Sequence, residues 1–241
     1  MKIIDIQTFG VNMGDGNHVF VKVLTDEHLH GVGEAYRVGP DHAIGPIIDY
    51  YKEWLIGQDP TRIEHLWQLM YNGSRFPGGS MINAAISGIE TALWDVKGKA
   101  HGVPVYQLLG GRCRDRVRVY LGIHGDTPRE VADDAKRAVQ QFGMTAVKMQ
   151  PQPPQMELLS WNEVLKQTRE RMEAVRRAVG DDIEIALDPH AAMFEPFRAL
   201  ELSEVVRPFR PLFFEEPLRP ENIAAMGELR QKIRIPIATG E

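Results

Sequence analysis

The chain has 241 residues, of which 43% are apolar and 25% are charged, as is ordinary for a globular protein. Its formal net charge is −5 and it has no block of basic residues, so neither nucleic acid nor an anionic membrane is an expected partner. Cys113 is its only cysteine and no apolar run is long enough to span a bilayer, which favours a cytoplasmic protein without disulfides.

The first part of the sequence predicts strands followed by helices. Alternating apolar residues indicate antiparallel strands, and apolar residues at helical spacing indicate the helices after them. Gly102 and Pro104 are expected to end the last of these helices. The order of strands and then helices predicts an α+β domain over residues 1–115. The predicted strands are 2–11, 18–26 and 30–36, and the predicted helices are 41–56, 60–71 and 80–100.

From about residue 116 onward, predicted strands and helices alternate. This alternation predicts parallel strands joined by right-handed crossovers. The first strand is not followed by a Gly-x-Gly-x-x-Gly sequence, which favours a TIM-type (β/α)₈ barrel over a dinucleotide-binding sheet. Thr127, Pro128 and Glu130 have the pattern of a helix-capping box. The predicted strands are 117–123, 145–150, 183–190, 212–217 and 235–241, with helices at 128–141, 161–179, 196–206 and 221–231.

The second domain is short for a closed barrel. Residues 116–241 are roughly half of the ~250 residues that such a barrel usually needs. We therefore expect a truncated barrel that contains about the first five strands. An unclosed sheet edge would favour association, so a homo-oligomer is expected.

Charged side chains lie at the predicted strand ends, where barrels of this type place their sites. Asp188 and His190 are two residues apart, so on a strand both would point to the same face. Carboxylates follow at nearly equal intervals on the next two strands. Each pair of such carboxylates ~4 Å apart would repel by about 4 kcal/mol at an effective dielectric constant of ~20, which predicts a bound cation such as Mg²⁺. The strand-end residues are Lys148, Asp188, His190, Glu215 or Glu216, and Glu241.

Several long segments resemble the mandelate racemase branch of the enolase superfamily. They are residues 54–71 and 87–111, and the sequences LDPH, FFEEP and ATGE that contain the strand-end acids. Within that branch the chain is most similar to galactonate dehydratase-like sugar-acid dehydratases, which carry an Asp-x-His sequence like Asp188-Pro189-His190.

This resemblance implies a Mg²⁺-dependent lyase that removes the α-proton of a sugar acid, an aldonate or aldarate, through an enediolate. It assigns the metal to Asp188, Glu215 and Glu241, and favours Glu215 over Glu216. A proton from His190 would help the β-hydroxyl to leave. Lys148 would balance charge or hold the substrate carboxylate.

The sequence departs from the usual pattern of the branch at Gln150. Many members have a basic lysine there, whereas glutamine cannot take a proton but can hydrogen-bond a hydroxyl. In the resembling family the α-proton base is a histidine paired with an aspartate on later strands, so we expect the 241-residue chain to be inactive alone. His124 and Arg75 are further candidates for substrate contact. The loops 12–17 and 75–79 are candidates for substrate selection.

Three alternative functions stay open from the sequence. An epimerase or cycloisomerase would use the same superfamily chemistry. A Schiff-base aldolase would use Lys148 as its amine and need no metal, but it would leave the three carboxylates unexplained. A non-catalytic relative would bind the metal without turnover.

Overall fold

The computed structural model of the protein describes residues 1–14, 16–37 and 39–240. The chain divides into two compact units, Met1–Asp115 and Arg116–Glu241. Each unit has its own apolar core. No helix in the described ranges is long and apolar enough to cross a bilayer.

The N-terminal unit is an antiparallel sheet with helices packed on it. Its strands are β1 (Ile3–Asn12), β2 (Asn17–Thr25) and β3 (His30–Ala35), in the spatial order β1-β2-β3. A 3₁₀ turn at Asp41–Ala43 precedes α1 (Ile44–Leu55), α2 (Ile63–Asn72), α3 (Ser80–His101) and the short α4 (Val105–Leu108). The predicted order of three strands and then helices is confirmed.

The sequence explains why α3 packs closely on β3. A Cβ atom on Gly31 would lie 1.9 Å from the backbone oxygen of Ala92, and one on Gly33 would lie 2.2 Å from that of Gly88. Only glycine permits this approach of helix backbone to strand backbone. Gly102, with φ 66°, then ends α3 in the left-handed conformation that suits glycine.

The C-terminal unit is a parallel sheet with a helix between each pair of successive strands. Its five described strands lie in chain order, β4-β5-β6-β7-β8, and each pairs in parallel with the next. The strands are β4 (Leu121–Gly122), β5 (Ala146–Met149), β6 (Glu184–Leu187), β7 (Phe214–Glu215) and β8 (Ile237–Ala238). The helices are α5 (Pro128–Phe142), α6 (Trp161–Val179), α7 (Pro196–Val206) and α8 (Ile223–Lys232), with 3₁₀ turns at Met156–Leu158 and Arg207–Phe209. The predicted alternation of strand and helix is confirmed.

The strands of this sheet are shorter than the sequence predicts. In the predicted strand 117–123, the observed strand covers only Leu121–Gly122, and Val117 and Val119 are exposed. Residues 188–190 lie after β6: Asp188 still donates its backbone N–H to Met149 of β5, and the positive φ angles of His190 and Ala191 then end the extended backbone. Apolar and β-branched residues therefore predicted where each strand lies but overestimated its length.

The capping box at the start of α5 is confirmed. The Thr127 hydroxyl accepts a hydrogen bond from the backbone N–H of Glu130, and the Glu130 carboxylate accepts one from the backbone N–H of Thr127. Pro128 occupies the first turn, where its missing N–H has no helical partner to lose. This cap fixes the start of α5 directly after the loop that follows β4.

Candidate functional site

Three charged side chains converge at the carboxyl ends of β5, β6 and β7. The Lys148 Nζ atom donates to Asp188 Oδ2 at 2.8 Å and lies 3.2 and 3.1 Å from the two carboxylate oxygens of Glu215. The Asp188 side chain is only 3% exposed, whereas Lys148 and Glu215 are 22% and 23% exposed. Two carboxylates therefore share one cation at the edge of the sheet where parallel strands end.

The ammonium of Lys148 is stabilised in its charged form. Burial alone would lower the pKa of Lys148, but hydrogen bonds to Asp188 and Glu215 outweigh burial and raise that pKa well above its ordinary value. The Nζ atom also lies 5.5 Å from the ring centroid of Tyr120. The contacts with Asp188 and Glu215 therefore favour the ammonium form of Lys148.

His190 joins this cluster through Asp188. Its Nε2 atom lies 3.0 Å from Asp188 Oδ2, and its backbone N–H donates to Asp188 Oδ1 at 3.0 Å. The Gln150 amide nitrogen lies 3.0 Å from His190 Nδ1. Contacts at both ring nitrogens therefore fix the orientation of the imidazole between Gln150 and Asp188.

The cause of the Asp188–His190 contact differs from the sequence prediction. The prediction that both residues share a strand face is wrong, since β6 ends at Leu187 and His190 has φ 53°. A tight turn brings them together instead. Gln152, which sequence reasoning missed, is buried and donates to the carbonyl oxygen of Pro189 at 3.0 Å, within that turn.

A cavity of about 230 Å³ opens beside these side chains. It brings together most of the predicted site residues of the C-terminal unit, and His124 contributes from the loop after β4. Sequence reasoning also missed Arg171 of α6, a buried cavity residue that donates to the carbonyl oxygens of Gly125 and Asp126. Burial lowers the pKa of Arg171. The predicted site residues on the cavity wall are His124, Lys148, Gln150, Asp188 and His190.

The described cluster tests the predicted role of neither Glu241 nor Arg75. Glu241, the third predicted metal ligand, lies outside the described residues. Arg75 belongs to the N-terminal unit, where its guanidinium lies 5.5 Å from the ring centroid of Phe76. The predicted loop 12–17 includes Asp15, which is also outside the described ranges.

The chemistry of the described donors suits a hard cation such as Mg²⁺. Asp188 and Glu215 supply carboxylate oxygens, and both already lie within 3.2 Å of one cationic nitrogen. Within residues 1–14, 16–37 and 39–240, no group of three acidic, histidine or cysteine side chains is arranged to hold a metal. Asp188 and Glu215 would therefore hold the ion together with a further donor.

Sequence and structural comparisons place the chain in a known group of proteins. Residues 5–110 match the family described as mandelate racemase / muconate lactonizing enzyme, N-terminal domain, and residues 130–241 match the family described as enolase C-terminal domain-like. The chain belongs to the enolase superfamily. The resemblance inferred from the sequence motifs is thus confirmed, and the chain has the N-terminal and barrel-type domains of this superfamily.

Individual relatives of this enolase-superfamily chain cover its whole length. D-galactonate dehydratase from Variovorax paradoxus is 38% identical over 241 residues, and the chain spans 62% of that relative's length. The crystal structure of an enolase from Agrobacterium radiobacter, with bound sodium and L-malate, is 43% identical with a TM-score of 0.92. An enolase from Pantoea ananatis with bound D-gluconate and magnesium is 31% identical with a TM-score of 0.87. The chain is matched over 100% of its length in both structures and spans 61% and 65% of them, respectively.

Proposed function

We propose that this chain carries the metal ligands and the general acid of a Mg²⁺-dependent sugar-acid dehydratase. The observation that supports the proposal most strongly is the convergence of Asp188 and Glu215 on one cation, with His190 in contact with Asp188. The similarity to D-galactonate dehydratase and to a gluconate-bound enolase supports a sugar acid as the substrate.

The proposed role of each side chain follows from its position at the cavity. When bound, Mg²⁺ would stabilise the negative charge that develops on the substrate carboxylate as the α-proton leaves. Lys148, as an ammonium, binds the substrate carboxylate and balances its charge. Gln150 orients the imidazole of His190 at Nδ1, and His190 in its protonated form gives a proton to the β-hydroxyl, which leaves as water.

The proposal assigns removal of the α-proton to neither Lys148 nor Gln150. Hydrogen bonds with two carboxylates hold Lys148 as an ammonium, and an amide cannot take a proton. Neither residue can therefore supply the base, and the proposal for this chain is limited to binding of the metal and the sugar acid. The hydrogen bonds between Lys148 and the two carboxylates also disfavour a Schiff-base aldolase, because an aldolase amine must be neutral to attack a carbonyl.

Binding and turnover test the proposal separately. Calorimetry of the 241-residue chain with D-gluconate or D-galactonate should show binding with Mg²⁺ present and no binding with EDTA. A chimera that adds the remaining C-terminal segment of the Variovorax paradoxus relative should form 2-keto-3-deoxy acids. Binding that is indifferent to EDTA would refute the proposal, and Mg²⁺ binding without turnover by the chimera would indicate a non-catalytic relative.

A further inference from the structure

Glu216 is a buried acid next to the candidate site, and the proposed chemistry gives it no role. Glu216 directly follows Glu215 at the end of β7, yet Glu216 is only 3% exposed. Whereas the Glu215 carboxylate meets Lys148, the Glu216 carboxylate meets the end of the neighbouring strand β8. The two adjacent acids therefore point to different surroundings.

The contacts of Glu216 join the ends of three successive strands. Its Oε1 atom accepts hydrogen bonds from the Thr239 hydroxyl at 2.9 Å and from the backbone N–H of Gly240. Its backbone N–H donates to the carbonyl oxygen of Ala238 at 3.0 Å, and its own carbonyl oxygen accepts from the backbone N–H of Ala191 at 2.9 Å. Glu216 thus connects the turn after β6 with the ends of β7 and β8.

The backbone conformation of Glu216 supports a specific role for this side chain. Its φ angle is 38°, in the left-handed region where a side chain with a Cβ atom is strained and glycine is favoured. A glutamate at this position therefore carries a conformational cost. Its carboxylate offsets that cost by accepting the two hydrogen bonds from the end of β8.

We propose that Glu216 is a positioning residue for the metal site, an inference that rests on the proposed Mg²⁺-dependent function. Gly240, which it binds, directly precedes Glu241 in the sequence. The backbone carbonyl oxygen of Glu216 accepts from Ala191, in the turn directly after Asp188 and His190. Glu216 therefore sets the end of β8 relative to the two carboxylates that converge on Lys148, without itself touching the ion.

The test measures Mg²⁺ affinity of the 241-residue chain by calorimetry at a temperature where every variant is folded. Glu216→Ala should weaken Mg²⁺ binding by about 10- to 100-fold, the usual effect of losing a group that orients metal ligands. Glu216→Gln keeps an acceptor oxygen and should recover most of the lost affinity. Thr239→Val removes one donor and should weaken binding several-fold, with no further effect in the Glu216→Ala background.

The control separates positioning from general stability. Ser203→Ala removes another buried side-chain hydrogen bond of the same unit, donated to the carbonyl oxygen of Leu200, and should lower Tm without changing Mg²⁺ affinity. Parent-like Mg²⁺ affinity in Glu216→Ala and Thr239→Val would overturn the inference and leave the proposed function intact. Failure of Glu216→Gln to recover affinity would contradict the acceptor role. A parent chain that binds no Mg²⁺ would overturn both the proposed function and this inference.

Discussion

Replacing Lys148 with methionine should destabilise the metal-free chain while it tightens Mg²⁺ binding. In the metal-free protein the ammonium lies 2.8 Å from the nearly buried Asp188 and 3.1 Å from Glu215. Lys148→Met keeps a long apolar stem and removes the charge and all donors. The two carboxylates then repel each other without a counter-ion, and a divalent cation no longer competes with the ammonium for their oxygens.

The size of the effect follows from the burial of the three groups. Removing one member of a fully buried ion pair costs about 3–5 kcal/mol. Lys148 and Glu215 are 22% and 23% exposed, and Asp188 keeps its contacts with His190, so solvent and the remaining donors reduce the loss to about 1–3 kcal/mol. For a chain of this size each kcal/mol corresponds to roughly 2–4 °C in Tm.

The assay is thermal unfolding of the parent and Lys148→Met in EDTA and in excess Mg²⁺. Lys148→Met should unfold at lower temperature in EDTA, and Mg²⁺ should raise its Tm by more than it raises the Tm of the parent. The matched control is Lys166→Met, because Lys166 of α6 is an exposed lysine whose ion pair with Glu163 contributes about 0–1 kcal/mol. Equal Tm values for the parent and Lys148→Met in EDTA, together with weaker Mg²⁺ binding, would refute the reasoning.

Three further variants test the surrounding fold by thermal or urea unfolding. Thr127→Ala removes the hydroxyl that caps α5 and should lower the free energy of unfolding by about 1 kcal/mol, so an unchanged value would contradict the cap. Gly31→Ala would place a Cβ atom 1.9 Å from the Ala92 backbone oxygen and should destabilise the chain by about 3 kcal/mol or more, whereas parent-like stability would contradict the close approach. Burial raises the pKa of Asp134, but hydrogen bonds, first from the backbone N–H of His124, outweigh it and lower that pKa overall. The stability that Asp134 contributes is therefore present above its unfolded pKa and lost as pH falls toward its folded pKa, and Asp134→Asn should flatten this acid-side loss in unfolding measured against pH.

The sequence predicted the order of elements because periodicity reports which face of each element is buried. Residues 80–100 were predicted as a helix from apolar spacing, and α3 spans Ser80–His101. The same signal overestimated the length of the strands, because the apolar residue pattern does not show where backbone pairing between strands ends. The turn after β6 illustrates this, because the positive φ angles of His190 and Ala191 have no signature in their side chains.

Part of the candidate site was also predictable. Strand-end charges can be located from the sequence because parallel strands end at one edge, and Lys148, Asp188 and Glu215 do lie together. The roles of Glu216 and Gln152 were not predictable, since each depends on a contact between residues distant in the sequence. The homo-oligomer and the cytoplasmic location stay predictions.

Calorimetric titration of the metal-free 241-residue chain with Mg²⁺ tests the proposed metal site most directly. We predict saturable binding of a single ion per chain, lost in Asp188→Asn and strongly weakened in Glu215→Gln, while an exposed control such as Glu204→Gln binds as the parent does. Absence of binding by the parent, or binding that Asp188→Asn leaves unchanged, would contradict a metal held by the ends of β6 and β7.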